Sequence, residues 1–191
     1  MCHTLYMSTK NIIIVLLIAL ATANPVKDSS AVVDKQYAAI KKLQPKIAHK
    51  DAVKLAHALR SAAHTCNAPW EILLSIAFNE SSLNKKSVNK KTMDFGLYQI
   101  SITMIRKLQL DVYKVLDDEK YALSAACEII NYNKKAYGSK YPFWIGIYRS
   151  GTALWKTNIR QNAISYDNMI KKTAHKIGYI ENVESYQARR D

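Results

Sequence analysis

Apolar residues recur at helical spacing along most of the chain. Over 30–43, 51–64, 121–137 and 164–177, apolar positions return every three or four residues, as they do on one face of a helix. Gly138 is expected to stop the third of these helices. The pattern therefore predicts an all-α, or mostly α-helical, fold.

The segment that follows Asn67 and ends at about residue 81 is predicted to be a helix with an acidic residue on its apolar stripe. Leu73, Ile76 and Ala77 form the stripe, and Glu80 lies seven residues after Leu73 on the same face. Burial disfavours the charged form of a carboxyl and raises its pKa, so that it can donate a proton near neutral pH. Spacing alone leaves the alternative that Glu80 closes the helix and turns to solvent.

A polar segment without periodicity follows this helix. Residues 81–95 are rich in Asn, Ser and Lys, which is typical of a loop, and 97–108 is predicted to be a helix that carries Gln99. Asn67 is a candidate N-cap for the predicted helix that carries Glu80. Four lysines of the loop are expected to flank a cleft: Lys85, Lys86, Lys90 and Lys91.

The composition agrees with one helical domain. A chain of 191 residues has about the length of a single domain. Hydrophobic residues make up 49%, which is enough for a core, and only five glycines and four prolines are present. The histidines show no familiar metal-ligand spacing, so no metal and no cofactor is predicted.

The N-terminus has the pattern of an export signal. The apolar run 12–20 follows one basic residue, Lys10, and ends in an Ala-Thr-Ala cleavage pattern. The run is short for a membrane span. Residues 1–23 are therefore predicted to be a signal peptide that directs the protein to the periplasm or the medium, with no stable membrane anchor after cleavage. An uncleaved signal anchor is the alternative.

Export changes the expected state of the cysteines. Cys2 lies in the predicted signal, so Cys66 and Cys127 remain as an even pair in an oxidising compartment, where a disulfide can form. Two free buried thiols are the alternative, because the sequence does not show how close the two Cα atoms lie.

The net charge is strongly basic. It is +13 for the whole chain and becomes +12 when Lys10 is removed with the signal. A basic surface favours anionic partners, which outside the cytoplasm are cell-wall glycan with its acidic peptide stems, phospholipid head groups or stray nucleic acid. Export argues against a nucleic-acid partner, and solvated lysines account for much of the charge.

Several motifs, taken in order, resemble one enzyme family. The motifs are Glu80-Ser81-Ser82 at a helix end, Asn89, Asp94-Phe95-Gly96-Leu97-Tyr98-Gln99-Ile100-Ser101 and Tyr148-Arg149-Ser150-Gly151. Together they resemble the family-1 soluble lytic transglycosylase domain, whose fold is similar to goose-type lysozyme. The resemblance covers most of the chain after the predicted signal.

This resemblance implies a domain organisation and a set of partners. It implies a helical extension over 24–50, a lysozyme-like catalytic domain with an active-site cleft over 51–180, and a polar tail over 181–191. The implied substrate is the glycan strand of peptidoglycan. The cysteine pair and the tyrosine of Gly-Leu-Tyr-Gln are similar to variants associated with secretion and conjugation machinery.

The resemblance also implies roles for individual residues. Glu80 matches the catalytic glutamate, which protonates the glycosidic oxygen between N-acetylmuramic acid and N-acetylglucosamine and then takes the proton of the muramoyl 6-hydroxyl. A 1,6-anhydro end forms without water. Ser81 matches the serine beside that glutamate, and Asn89 matches a contact to the substrate's N-acetyl group. Gln99 matches the cleft glutamine, and Tyr148 matches a tyrosine that hydrogen-bonds near the catalytic carboxyl.

One other acidic residue, Asp94, lies in the predicted loop. Glycosidases usually need two carboxylates. Asp94 precedes Gly96 by two residues, where a hydrogen bond to the turn is the favoured role, and Gly96 allows the backbone to approach a sugar closely. A substrate hydroxyl would then act as the nucleophile. The alternatives are a hydrolytic lysozyme that uses Asp94 or a water molecule, and an inactive wall-binding or scaffold protein.

Two positions depart from the family pattern. Tyr98 replaces the usual methionine, which is expected to keep an apolar wall and to add a hydroxyl that alters saccharide preference. Arg149 replaces the usual asparagine, which is expected to change the hydrogen bonding around Tyr148.

Overall fold

Helices make up most of the protein, for which a computed structural model describes residues 29–137, 145–146, 148 and 157–179. The described residues contain seven helices: α1 (Ser29–Leu43), α2 (His49–Cys66), α3 (Trp70–Ser81), α4 (Ile102–Lys107), α5 (Val112–Asp117), α6 (Glu119–Tyr137) and α7 (Thr157–Lys176). Three short strands form an antiparallel sheet in the order β1 (Val88–Asn89), β2 (Asp94–Phe95) and β3 (Ile100–Ser101). The predicted mostly α fold is confirmed.

The chain divides into two units, Met1–Ala31 and Val32–Asp191. Only residues 29–31 of the first unit are described. In the described part of the chain, no helix is long and apolar enough to cross a membrane. Several predictions fall on residues outside that part: the signal peptide 1–23, the stop at Gly138, the departure at Arg149 and the tail 181–191.

The helix α3 is buried on all sides. Six successive residues, Ile72 to Ala77, are inaccessible to solvent, as expected for a helix inside a core rather than on its surface. The helices α2 and α7 pack against it, and α2 also packs along α6. The last turn of α3 is only partly buried, at Phe78, Asn79 and Glu80. The helix therefore leaves the core at Glu80.

A disulfide joins α2 to α6. Cys66 ends α2 and Cys127 lies in the middle of α6, with their Cα atoms 4.8 Å apart. The predicted pairing is confirmed, and the alternative of two free thiols is wrong. Because the bond closes a loop between residues 61 positions apart, it fixes two of the helices that surround the core.

The helix predicted over 97–108 begins later and is shorter. Gly96 and Gln99 have φ values of 76° and 45°, which a helix does not accommodate. They lie in a tight turn that leads into β3. Ser101 then caps α4 by accepting a hydrogen bond from the Met104 N–H. Gln99 thus lies on the turn and not on the helix.

Three other features of the helices differ from the predictions. Asn67 ends α2 in the left-handed conformation, with φ 46° and ψ 47°, which asparagine tolerates well. It is therefore not the N-cap of α3, which begins after Pro69 without a side-chain cap. The helix α5 was not predicted, because six residues show too little periodicity. The helix α7 begins at Thr157 rather than at 164.

Candidate active site

Glu80 lies in the last turn of α3, and its side chain is partly buried. Ser82 caps the end of α3, with a φ of 53°, and donates its N–H to the Phe78 carbonyl. Because this left-handed residue turns the chain away, Ser81 is the last residue of α3 and Glu80 lies directly before it. Since Glu80 is partly buried, its side chain is not fully exposed to water.

The Glu80 carboxylate accepts a hydrogen bond from Tyr166. The Tyr166 hydroxyl on α7 lies 2.5 Å from Glu80 Oε1, and the Tyr166 side chain is buried. A second bond joins the same two helices, from Asn79 Nδ2 to Thr173 Oγ1 at 3.1 Å. A buried donor this close fixes the orientation of the carboxyl.

Tyr148 lies near Glu80 but donates its hydrogen bond elsewhere. Its hydroxyl donates to the backbone oxygen of Tyr98 at 2.9 Å. Burial raises the pKa of Tyr148 well above its ordinary value, and the negative charges of Glu80 and Asp94 add to the rise. Tyr148 therefore remains a neutral donor beside the carboxylate. In the resemblance this tyrosine bonds near the carboxyl, and here the carboxylate's tyrosine donor is Tyr166.

Ser81 fastens the end of α3 to the turn over 96–99. Its Oγ donates to the Ala77 carbonyl at 3.1 Å and to the Leu97 carbonyl at 2.8 Å. Both contacts are to backbone within the protein. The residue therefore positions the turn against Glu80.

The turn itself is held by Gly96 and Gln99. A Cβ on Gly96 would lie 2.6 Å from the Val115 carbonyl oxygen, so the glycine permits a close approach to α5 rather than to a sugar. Gln99 Nε2 donates to the carbonyls of Gly96 and Ser87, at 2.9 and 3.2 Å. Within the described residues no donor reaches the Gln99 amide oxygen, which is left to accept from a ligand.

Asn89 and Asp94 both stabilise the connection between β1 and β2. Asn89 Oδ1 accepts from the N–H groups of Lys91 and Thr92, at 3.1 and 3.4 Å. Asp94 Oδ2 accepts from the Thr92 hydroxyl at 2.5 Å. The Asp94 carboxylate is thus occupied by a side chain of the hairpin, whereas a bond to turn backbone was expected.

The four loop lysines divide into two pairs. Lys85 bonds Glu119 at 2.7 Å and Asp51 at 3.3 Å, and the bond to Glu119 is the main reason that the pKa of Lys85 is raised. Lys86 pairs with Asp117. Lys85 and Lys86 thus form ion pairs that tie the loop to neighbouring helices, and the expectation that the four lysines flank a cleft stays a prediction.

Tyr98 is a core residue and not part of a cleft wall. Its side chain is 0% exposed, and burial raises its pKa. Its hydroxyl has no hydrogen-bond partner among the described residues. Buried polar groups are rarely left unpaired. The Tyr98 hydroxyl, at a position where the family usually has methionine, is therefore expected to lower the stability of the fold.

Tyr166 is the site residue that sequence reasoning missed. It falls inside the predicted final helix, four residues before the buried Ile170, so periodicity marks it as facing the core. Nothing in the local sequence relates it to Glu80, which is 86 residues away. Only the packing of α7 against α3 reveals the pair.

The candidate site contains one carboxyl of fixed orientation, that of Glu80, which lies among side chains that form hydrogen bonds. Glu80 can donate a proton when protonated and accept one when ionised. No group of three His, Cys, Asp or Glu side chains in the described part of the chain is arranged to hold a metal ion. The described geometry suits proton transfer by a single acid.

The comparisons with known proteins place the chain in a family. A family model for the transglycosylase SLT domain matches residues 57–171, which is more than half of the chain and includes Glu80, Tyr148 and Tyr166. No curated protein and no solved structure matched. The protein therefore belongs to the transglycosylase SLT domain family, whose members have a lytic transglycosylase role in peptidoglycan degradation.

Proposed function

We propose that the protein cleaves the β-1,4 bond between N-acetylmuramic acid and N-acetylglucosamine and leaves a 1,6-anhydro end. Glu80 acts first as general acid and then as general base. The observation that supports this is the partly buried Glu80 carboxyl, held at 2.5 Å by the Tyr166 hydroxyl where α3 leaves the core.

In the first step Glu80 gives its proton to the glycosidic oxygen. The bond between that oxygen and the muramoyl C1 breaks, and positive charge develops on the sugar ring. The Glu80 carboxylate formed in this way lies beside the ring. Tyr166, as a hydrogen-bond donor, stabilises the new negative charge.

In the second step the Glu80 carboxylate takes the proton of the muramoyl 6-hydroxyl. The O6 atom attacks C1 from within the same sugar, so that one bond forms for the one broken and no water is consumed. Intramolecular attack needs no second molecule to be positioned. Glu80 regains its proton and is ready for the next strand.

The hydrolytic alternative needs a group that activates water. Asp94 is the acidic residue that the sequence offered for this role, and its carboxylate is engaged by Thr92 at 2.5 Å. Inverting enzymes require a second carboxylate that activates a water molecule. The bond with Thr92 gives Asp94 a role within the hairpin, which supports the 6-hydroxyl as nucleophile, and analysis of the product ends distinguishes the two reactions.

Peptidoglycan lies outside the cytoplasm, so this function requires export. The predicted signal peptide over 1–23 would provide it, and the protein would act in the periplasm or the medium. The Cys66–Cys127 disulfide is compatible with an oxidising compartment. Mass analysis of the secreted protein tests the cleavage, which is expected after Ala23.

Zymography on purified sacculi tests whether Glu80 is essential. Glu80→Gln is expected to lower clearing by about a thousandfold, because a group that serves as both acid and base contributes about 10² to 10⁴. Glu71→Gln, the same change at the other end of α3, is the control. Burial raises the pKa of Glu71, so its charge adds no stability at neutral pH and the variant should fold and clear normally.

Two results would refute the proposal. Equal clearing by the wild type and Glu80→Gln would remove the proposed acid. No clearing by the folded wild type would leave the inactive wall-binding or scaffold alternative.

A further inference from the structure

The second pair of loop lysines lies on an exposed turn between β1 and β2. We call residues 88–93 the hairpin tip. Lys90 and Lys91 are exposed, and among the described residues neither has a carboxylate within ion-pair distance. Val88 and Met93, on either side of them, are 40% and 44% exposed. The tip thus combines two available cations with two solvent-facing apolar side chains.

Hydrogen bonds within the tip hold it in one conformation. Asn89 Oδ1 accepts from two backbone N–H groups, as described above, and the Met93 N–H donates to the Asn89 carbonyl at 2.7 Å. Met93 has a φ of 57°, and its own carbonyl accepts from the Ile102 N–H at 2.9 Å. A surface that is already ordered loses little entropy when it binds.

The base of the hairpin is bonded to the turn over 96–99, and that turn is bonded to the end of α3. The Ser87 carbonyl, directly before β1, accepts a hydrogen bond from the Gly96 N–H at 2.8 Å. Ser81 Oγ, in the last turn of α3, donates to the Leu97 carbonyl at 2.8 Å. The hairpin therefore starts from a turn that is held against the end of the helix that carries the candidate acid.

We propose that the hairpin tip binds the acidic stem peptide of the glycan strand that Glu80 cleaves, an inference that rests on the proposed function. Stem peptides carry free carboxylates and small apolar side chains. The carboxylates suit Lys90 and Lys91, and the apolar groups suit Val88 and Met93. A stem of four or five residues spans about 15 Å when extended, so it can contact protein surface beyond the sugar that carries it.

Binding measurements with a variant that does not cleave the substrate test this inference independently of turnover. Glu80→Gln prevents cleavage, and calorimetry gives Kd values for short glycan fragments with and without stem peptides. Lys90→Gln with Lys91→Gln is expected to weaken binding of the stem-bearing fragment by about threefold to tenfold, the effect of two exposed ion pairs. Binding of the stem-free fragment is expected to stay within about twofold, since only a weak general field is lost.

A matched pair of substitutions controls for net charge. Lys35 and Lys42 are exposed on α1, and Lys35→Gln with Lys42→Gln removes the same charge from outside the hairpin. This variant is expected to bind both fragments as the parent does. Val88→Ser with Met93→Ser is expected to weaken the stem-bearing fragment only.

Three outcomes would overturn the inference. Equal weakening of both fragments by the Lys90/Lys91 variant would assign these lysines to the sugars. If the Lys35/Lys42 variant weakens binding of the stem-bearing fragment equally, the effect depends on net charge and not on the hairpin tip. If the Lys90/Lys91 variant binds the stem-bearing fragment as before but no longer binds vesicles of anionic phospholipid, the tip binds phosphate groups and not the stem peptide. If wild-type cleavage fails but the stem-dependent difference in Kd persists, only the proposed reaction is refuted.

Discussion

Glu80 and the hairpin tip are close in sequence, but different kinds of contact hold them in place. The Glu80 carboxyl is oriented by Tyr166, which lies 86 residues further along the chain. The tip is held mainly by bonds among residues 89–94. The orientation of Glu80 thus depends on tertiary packing, whereas the conformation of the hairpin tip depends mostly on its own short segment.

Removing the disulfide loosens the scaffold around the core and has the largest expected effect. Cys66→Ala with Cys127→Ala is expected to lower the free energy of unfolding by about 4 kcal/mol, because the denatured chain is no longer closed between residues 61 positions apart. Urea denaturation measures this change. A loss below about 1 kcal/mol would show that α2 and α6 are held by packing alone.

Gly96→Ala tests the turn that connects the two regions. The new Cβ would meet the Val115 carbonyl at 2.6 Å, and φ is 76°, so a loss of about 2 kcal/mol or more is expected. Gly178→Ala is the control, since φ is 97° there but no atom lies within 4 Å of the added Cβ. An equal loss in both variants would mean that contact with α5 is unimportant.

Tyr166→Phe tests the contact between α7 and the Glu80 carboxyl. It removes the 2.5 Å bond to Glu80 and is expected to lower kcat about tenfold with KM unchanged, the effect of one hydrogen bond to a charged group. Thr92→Val is the matched change in the hairpin and is expected to leave kcat within about twofold. Steady-state kinetics on soluble glycan strands compares the two. The reverse order of effects would contradict the account.

Tyr98→Phe has the smallest expected effect. Within the described ranges the buried Tyr98 hydroxyl has no hydrogen-bond partner, so its removal is expected to raise the free energy of unfolding by up to about 1 kcal/mol. Thermal denaturation at neutral pH measures the change, with Tyr37→Phe as a control that loses a bonded hydroxyl. A clear loss of stability in Tyr98→Phe would mean that the hydroxyl has an important partner.

The same comparison explains what could be predicted from the sequence. Long periodic helices, the cysteine pair and the position of Glu80 at a helix end depend on local patterns, and all were predicted. The predicted end of α3 at about Ser81 agrees with the structure, whereas the start of α7 was placed seven residues too late, at 164 instead of Thr157. These features need no knowledge of which helices meet.

Features that depend on tertiary contact were missed or misassigned. Tyr166 could not be related to Glu80, because the pairing arises only when α7 packs on α3. Gln99 was placed on a helix, because apolar spacing does not reveal the positive φ values that form the turn. The ion pairs of Lys85 could not be predicted, because its partners Asp51 and Glu119 lie on other helices.

Mass analysis of the fragments released from purified sacculi tests the central claim most directly. If Glu80 serves as acid and then as base for the muramoyl 6-hydroxyl, the fragments will carry 1,6-anhydro-muramic acid ends, lighter by one water than reducing ends. Fragments that end mainly in reducing muramic acid would mean that water is the nucleophile, and would contradict the account.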